Sequence, residues 1–162
     1  KELIKENDVL DTKSVANFNK KFLSITKRYT ALSQELRDIL CEADSENGKF
    51  INFYAIVLAE RIVLEFMDEV VRENFSRLNY QLSNSDFVNF MKHKQEQSEE
   101  VAGWTQAGRD KVIVKLKNFS VEAGYLEKNN DGFLIKKPVI DSSIINAIEN
   151  QSGNKFLKIL LY

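Results

Sequence analysis

Basic side chains between residues 105 and 138 have the types and spacing that suit contact with a polyanion. Lys111 and Lys115 are one helical turn apart, so both can reach one line of phosphates. Arg109 lies near a helix start, where backbone N–H groups also favour an anion. Gln106 is the candidate for reading a base edge. The residues predicted to bind duplex DNA are Gln106, Arg109, Lys111, Lys115, Lys128, Lys136 and Lys137.

The local sequence predicts a helix that carries the first of these side chains. Thr105 is a suitable N-cap because its hydroxyl can accept a free backbone N–H. Apolar residues then recur at helical spacing and predict one buried face. Gly124 suits a left-handed helix end. The residues of the predicted buried face are Ile113, Leu116, Phe119 and Ala123.

A β-hairpin is predicted directly after this helix. Residues 125–126 and 133–135 have the composition of two short strands, and Asn130-Asp131-Gly132 between them suits a tight turn. Lys128, Lys136 and Lys137 would then lie on the hairpin. Helix, stop, strand, turn and strand together outline a recognition helix with a wing. A terminal helix and hairpin that merely cap a core would give the same pattern.

Charge is distributed unevenly along a chain of 162 residues whose formal net charge is −1. Residues 44–104 contain six Lys or Arg against eleven Asp or Glu, a net charge of −5. Residues 105–140 contain seven against four, a net charge of +3. The most basic segment therefore coincides with the predicted helix and hairpin, which favours nucleic acid as a partner. Chance fluctuation over short segments is the alternative explanation.

Residue types needed for catalysis or metal binding are scarce. The chain has one histidine, His93, and one cysteine, Cys41, so it offers neither an intrachain disulfide nor a thiolate metal site. Acidic residues near position 68 are best explained as a charged helical face, in which Glu65 and Glu69 form a mildly unfavourable like-charge pair. Cys41 follows Leu40 and is predicted to be a small buried residue. We therefore expect no enzymatic activity, no cofactor and no metal.

Hydrophobic periodicity predicts helices through most of the chain. Residues 1–10 read as the end of one helix, and an apolar stripe defines the next at Val15, Phe18, Phe22, Ile25 and Tyr29. Residues 50–78 are apolar on most of the helical circumference, which predicts a central buried helix, broken near residues 60–61. A second part is predicted to begin after a seam at residues 80–85. The expected domains are a helical bundle over residues 1–82 and a winged-helix-like part over residues 83–162.

Several segments, in this order, resemble the BrxA family of BREX bacteriophage-resistance systems, a family also labelled as putative inner-membrane proteins. The first is the capped basic helix over residues 11–28. The central helices contain Phe-Tyr-Ala-Ile-Val-Leu-Ala-Glu-Arg (53–61) and Phe-Met-Asp-Glu-Val-Val-Arg-Glu-Asn-Phe (66–75). The last segments are Asp-Phe-Val-Asn-Phe-Met-Lys-His-Lys (86–94) and the closing helix, from Thr105 through Lys111 to Glu-Ala-Gly-Tyr-Leu (122–126).

This resemblance implies a small, mainly α-helical, non-enzymatic protein with a NusB-like bundle and a winged-helix-like C-terminal part. It implies double-stranded DNA as a partner, with Lys111 the residue carried over most directly. Gly108-Arg109-Asp110 departs from the more basic sequence that the family tends to have there. Other BREX proteins are the further expected partners. We expect a cytoplasmic protein without membrane insertion, because no apolar run approaches the ~20 residues that span a bilayer.

A protein-interaction adaptor is the alternative function. It would dock other defence proteins through the acidic middle helices or through the apolar end of the chain. The residues of that apolar end are Phe156, Leu157, Leu160 and Leu161. A small domain need not bury all of these side chains, and an apolar patch left uncovered would be a docking surface.

Overall fold

The computed structural model describes residues 4–5, 10–12 and 14–162 and is mostly helical, as predicted. The helix end predicted over residues 1–10 falls largely outside the described residues. The first elements are α1 (Val15–Ala31), α2 (Gln34–Glu42), α3 (Ser45–Ala59), α4 (Arg61–Phe66), a π-helical segment (Met67–Arg72), α5 (Glu73–Ser76) and β1 (Gln81–Leu82). They are followed by α6 (Asn84–Gln97), α7 (Glu99–Ala102), α8 (Gln106–Glu122), β2 (Leu126–Asn129), β3 (Gly132–Ile135), α9 (Ser142–Ser152) and α10 (Asn154–Leu160).

Helix α3 forms the centre of the core, as its apolar circumference predicts. Every residue from 53 to 57 is buried, together with Phe50 and Ile51. The predicted break is confirmed at Glu60, where the backbone is extended (φ −128°, ψ 96°). Beyond the break, the π-helical segment buries Met67, Val70 and Val71. Burial on several sides explains why no single polar face interrupts this stretch of sequence.

An aromatic cluster joins the central helices to the C-terminal part. The Phe66 ring lies 5.1 Å from that of Phe87 and 5.4 Å from that of Phe90, measured between ring centroids. Phe87 in turn contacts Phe133 of the hairpin at 5.5 Å. Buried residues from both predicted parts belong to one hydrophobic core. The division at residue 82 stays a prediction, and β1 lies at that boundary.

The hairpin belongs to a three-stranded antiparallel sheet with the order β1-β3-β2. The sequence predicted β2 and β3 but not β1, because two residues are too few to show an alternating pattern. Leu82 of β1 pairs with Phe133. Gly132, at a φ of +141°, lets this strand approach: a Cβ there would lie 2.2 Å from the carbonyl oxygen of Leu82. The turn glycine therefore serves the third strand as well as the hairpin.

Two expectations about apolar residues need correction. Cys41 is exposed, because Leu36 provides the buried side of α2 and residue 41 lies off that side. The apolar stripe of α1 is buried at Phe18, whereas Val15, Ile25 and Tyr29 are exposed. Helix α1 packs mainly on α3, so only part of its stripe is covered.

The apolar end of the chain is largely covered by the protein's own core. Leu157 and Leu160 of α10 are buried. The Phe156 ring is partly buried and packs edge-on against that of Tyr54, with 6.1 Å between the centroids. Helix α10 packs against α9 and the π-helical segment, which explains this burial. The adaptor alternative therefore loses the support of an exposed apolar end.

Candidate nucleic-acid interface

Helix α8 presents one face to the core and the opposite face to solvent. Its N-cap is confirmed, because the Thr105 hydroxyl accepts the Gly108 N–H at 3.1 Å. Ile113, Leu116 and Ser120 are buried, and Gly124 ends the helical region at a φ of +78°. At 100° per residue, positions 107, 111, 114, 115, 118 and 122 lie on the side away from those buried residues, and position 121 lies at its edge. The helix therefore carries a continuous outward surface.

Lys111 and Lys115 extend from this outward surface. Both side chains are exposed, one helical turn apart. Neither has a hydrogen-bond or ion-pair partner within the described residues. Their charges are therefore available to an external anion. This arrangement is the one that the spacing of the two lysines predicts.

At the start of α8, the side chains of Gln106 and Arg109 form hydrogen bonds within the chain. The Arg109 guanidinium donates to the carbonyl oxygen of Trp104 and, at 2.9 Å, to Gln106 Oε1. Gln106 Nε2 donates to Asp110 Oδ1 at 2.8 Å. Both polar atoms of the Gln106 amide thus have partners inside the chain. The DNA contacts predicted for these two residues remain predictions, and each would require a change of partner.

The hairpin lysines do not share one face. Lys128 lies opposite Phe133 in the strand register, so both side chains are on the sheet face that packs toward α8. Glu127, one residue away, points to the other face. There its Oε2 forms an ion pair with the Nζ of Lys136, 2.7 Å away. Lys137 is exposed beyond the end of β3. The structure thus brings Lys128 toward α8 and leaves Lys136 on the far face.

Lys117 is a further cation at this surface that the sequence did not single out. Its Nζ donates to Asn84 Oδ1 at 2.7 Å and lies 4.9 Å from the centroid of the Phe87 ring and 5.8 Å from that of Phe133. Partial burial lowers the pKa of the Lys117 ammonium group below its ordinary value. No carboxylate pairs with it among the described residues. The aromatic partners come from distant segments, so no local sequence signal could have identified this lysine.

An open groove of about 910 Å³ lies between α8, the hairpin and the start of α6. Lys117 and Lys128 line it, as do the carboxylates of Glu122 and Asp131, so its formal charge balances. Its remaining polar lining consists of side-chain amides, those of Asn84, Asn118, Asn129 and Asn130. The groove therefore offers hydrogen-bonding groups of both kinds beside the more basic outward face of the helix.

In the described part of the chain, no three His, Cys, Asp or Glu side chains are grouped so that they could hold a metal ion. Across the same residues, none of the helices combines the length and the apolar character needed to cross a membrane.

Comparison with known proteins identifies the family. The BrxA family model matches residues 1–152. A BREX protein BrxA from Bacillus cereus (strain H3081.97) is 31% identical over 142 residues, which cover 85% of this chain and 69% of the relative. The fold resembles a crystal structure of an uncharacterized protein from Magnetospirillum magneticum, with a TM-score of 0.73 and 17% identity over 84% of this chain and 72% of that one. The chain therefore belongs to the BrxA family of BREX proteins.

Proposed function

We propose that this chain is a non-enzymatic, DNA-binding component of a bacterial BREX phage-defence system. It contacts the backbone of duplex DNA through the outward face of α8 and through the hairpin. The observation that carries the proposal is the pair Lys111 and Lys115, which are exposed and unpaired in the described structure. Other BREX proteins are its further proposed partners, since the curated relative is itself a BREX protein.

The order of elements around α8 supports this proposal. A helix leads to β1, the longer helices α6 and α8 follow with the short α7 between them, and β2 and β3 close a sheet in the order β1-β3-β2. This arrangement suits a winged-helix-like unit in which α8 is the recognition helix and the β2–β3 hairpin is the wing. An α-helix fits the major groove of B-DNA, and a neighbouring hairpin can then reach the adjacent backbone.

Electrostatics also favours the proposed surface. The segment of residues 105–140 carries a net charge of +3 in a chain of net charge −1. Of its basic residues, Lys111, Lys115, Lys128 and Lys137 are exposed without an ion pair in the described structure, whereas Lys136 is neutralised by Glu127. We therefore expect Lys111 and Lys115 to contribute more to phosphate binding than Lys136.

Duplex binding across a salt series tests the proposal. We expect affinity to fall as salt rises, because each phosphate contact releases counterions. The Lys111→Ala/Lys115→Ala variant should reduce the log–log slope by about 2, roughly 1 for each lysine. Lys155→Ala/Lys158→Ala, on the separate helix α10, is the control of equal charge and should retain the slope. Failure to bind at low salt, or an unchanged slope in the first variant, refutes the proposal.

A further inference from the structure

Asn118 occupies the centre of the outward face of α8. It lies two residues from Leu116 and Ser120, which are buried, so its side chain points away from the core. The residue is exposed and lines the groove beside the hairpin. Within the described chain neither its amide oxygen nor its amide nitrogen has a hydrogen-bond partner. Two other groove amides are occupied, because Asn84 binds Lys117 and Asn129 binds Gln81.

Two valines flank Asn118 on the same face. Val114, four residues before it, is 53% exposed, and Val121, three residues after it, is 40% exposed. The two methyl groups of each valine face solvent, because the core-facing positions of this helix are occupied by other residues. Val–Asn–Val at one-turn spacing thus forms an outward stripe with an amide at its centre and an apolar group on each side.

The charges around the stripe differ between its two ends, so one end suits contact with phosphates and the other suits contact with bases. Lys111 and Lys115 lie toward the helix N-terminus, where the outward face is basic. Glu122 and Asp131 lie in the groove beside Asn118 and Val121, where they offset Lys117 and Lys128. A groove of balanced charge does not favour a phosphate track. Its free amide and its methyl groups are instead the groups that contact base edges.

We infer that α8 reads A·T base pairs in the major groove. The Asn118 amide forms the paired hydrogen bonds to N6 and N7 of adenine, and Val114 and Val121 contact thymine methyl groups. Lys111 and Lys115 meanwhile hold the backbone. This inference rests on the proposed function, because it requires α8 to enter a duplex. Phosphate contacts alone give no preference for a DNA sequence, and the proposed base contacts would add one.

Binding to three matched duplexes tests the inference with the full chain. The probes are an alternating A·T duplex, the same duplex with every thymine replaced by uracil, and an alternating G·C duplex. Loss of the adenine contact should weaken binding to the G·C duplex about tenfold, the effect expected for one bidentate pair. Uracil lacks the C5 methyl group, so each lost valine contact should weaken binding about fourfold.

Variants assign these preferences to residues. Asn118→Ala should abolish the part of the preference for A·T over G·C that depends on the adenine contact, about tenfold, and leave the salt slope unchanged. Val114→Ala/Val121→Ala should abolish the difference between thymine and uracil duplexes. Val139→Ala, which replaces a valine that is 97% exposed outside the helix, should behave as wild type. Thermal unfolding of each variant verifies the fold, which these exposed substitutions should leave intact.

The outcomes separate the inference from the proposed function. Salt-dependent binding with equal affinity for all three duplexes overturns the A·T reading and leaves DNA binding in place. A preference for A·T over G·C that stays at its full wild-type size in both Asn118→Ala and the valine double variant also overturns the reading. Failure to bind any of the three duplexes at low salt refutes the proposed function, and the inference with it.

Discussion

Lys94 shows how the core accommodates an ionised group. Its side chain is 6% exposed, and its Nζ contacts Glu69 at 2.5 Å and Glu65 at 3.0 Å. Burial lowers the pKa of the Lys94 ammonium group, but hydrogen bonds to the two carboxylates outweigh burial and leave that pKa raised. The like-charge pair Glu65 and Glu69 is therefore stabilised by a lysine from α6. The two carboxylates lie more than twenty residues before Lys94 in the chain, so no local sequence pattern identifies them as its partners.

Removal of the Lys94 charge should destabilise the protein. Lys94→Met leaves two neighbouring carboxylates without their shared cation, and we expect unfolding to become easier by about 2 kcal/mol at pH 7. This is less than the 3–5 kcal/mol typical of a broken buried pair, because Glu65 and Glu69 keep some contact with solvent. Urea unfolding measures the change. Arg77→Met, which breaks an exposed pair with Glu73, is the control and should have little effect.

The stability lost in Lys94→Met should depend on pH. Burial raises the Glu65 pKa, but hydrogen bonds from Lys94 and Arg61 outweigh it, so the pKa lies below the ordinary value of 4.5. The stabilisation that ionised Glu65 contributes is therefore complete at pH values above its ordinary pKa. It is lost as the pH falls through the lowered pKa of Glu65 in the folded protein. The stability difference between wild type and Lys94→Met should shrink below about pH 4. Thermal unfolding from pH 7 to pH 3 checks this, and a constant difference would contradict it.

At the scale of elements, α1 is the helix whose burial departs most from its sequence pattern. The spacing of Val15, Phe18, Ile25 and Tyr29 correctly predicted a helix, but periodicity cannot tell how much of an apolar stripe a neighbour will cover. Only packing against α3 decides that, and it covers Phe18 most completely.

Two substitutions in α1 should therefore differ sharply. Phe18→Ala empties a buried site and should cost about 3 kcal/mol, the usual range for truncating a core phenylalanine. Leu23→Ala removes a side chain that is 67% exposed and should change stability by less than about 0.5 kcal/mol. Denaturant unfolding of both variants provides the comparison. Equal losses would show that α1 packs differently from the structure described.

The hairpin depends on Gly132 for a reason that only the third strand reveals. Gly132→Ala would force a Cβ toward the Leu82 carbonyl oxygen and place alanine at a φ of +141°. We expect a loss of about 2 kcal/mol or more from backbone strain and displacement of β1. Gly48→Ala in α3 is the control, since its Cβ would meet nothing closer than 3.9 Å and helix propensity favours alanine. Thermal unfolding should therefore shift in opposite directions for the two variants.

At the scale of the whole molecule, local structure was more predictable from the sequence than the packing of distant segments against one another. The Thr105 cap, the Gly124 stop, the break at residue 60 and the tight turn were all predictable, because each depends on neighbouring residues. The ladder between β1 and β3, the aromatic setting of Lys117 and the carboxylates around Lys94 were not predictable. Each of these joins segments far apart in the chain, and a single sequence does not encode such pairings visibly.

The candidate site illustrates the same distinction. Lys111 and Lys115 were predicted as a pair because helical spacing alone brings them together. Their availability depended on tertiary structure, which leaves them unpaired while it engages Gln106 and Arg109 with each other and Lys136 with Glu127. The lysines of α8 that are left free for the proposed contact therefore lie beyond its first turn, at Lys111 and Lys115.

Backbone amide shifts during titration with a short DNA duplex test the central proposal most directly. In nitrogen-15-labelled protein at low salt, we predict saturable shifts concentrated on the outward face of α8, from Lys111 to Val121, and at the hairpin from Lys128 to Asp131. Amides of α10 should stay unchanged. Saturable shifts confined to other helices, or no shifts at low salt, would contradict DNA binding through α8 and the hairpin.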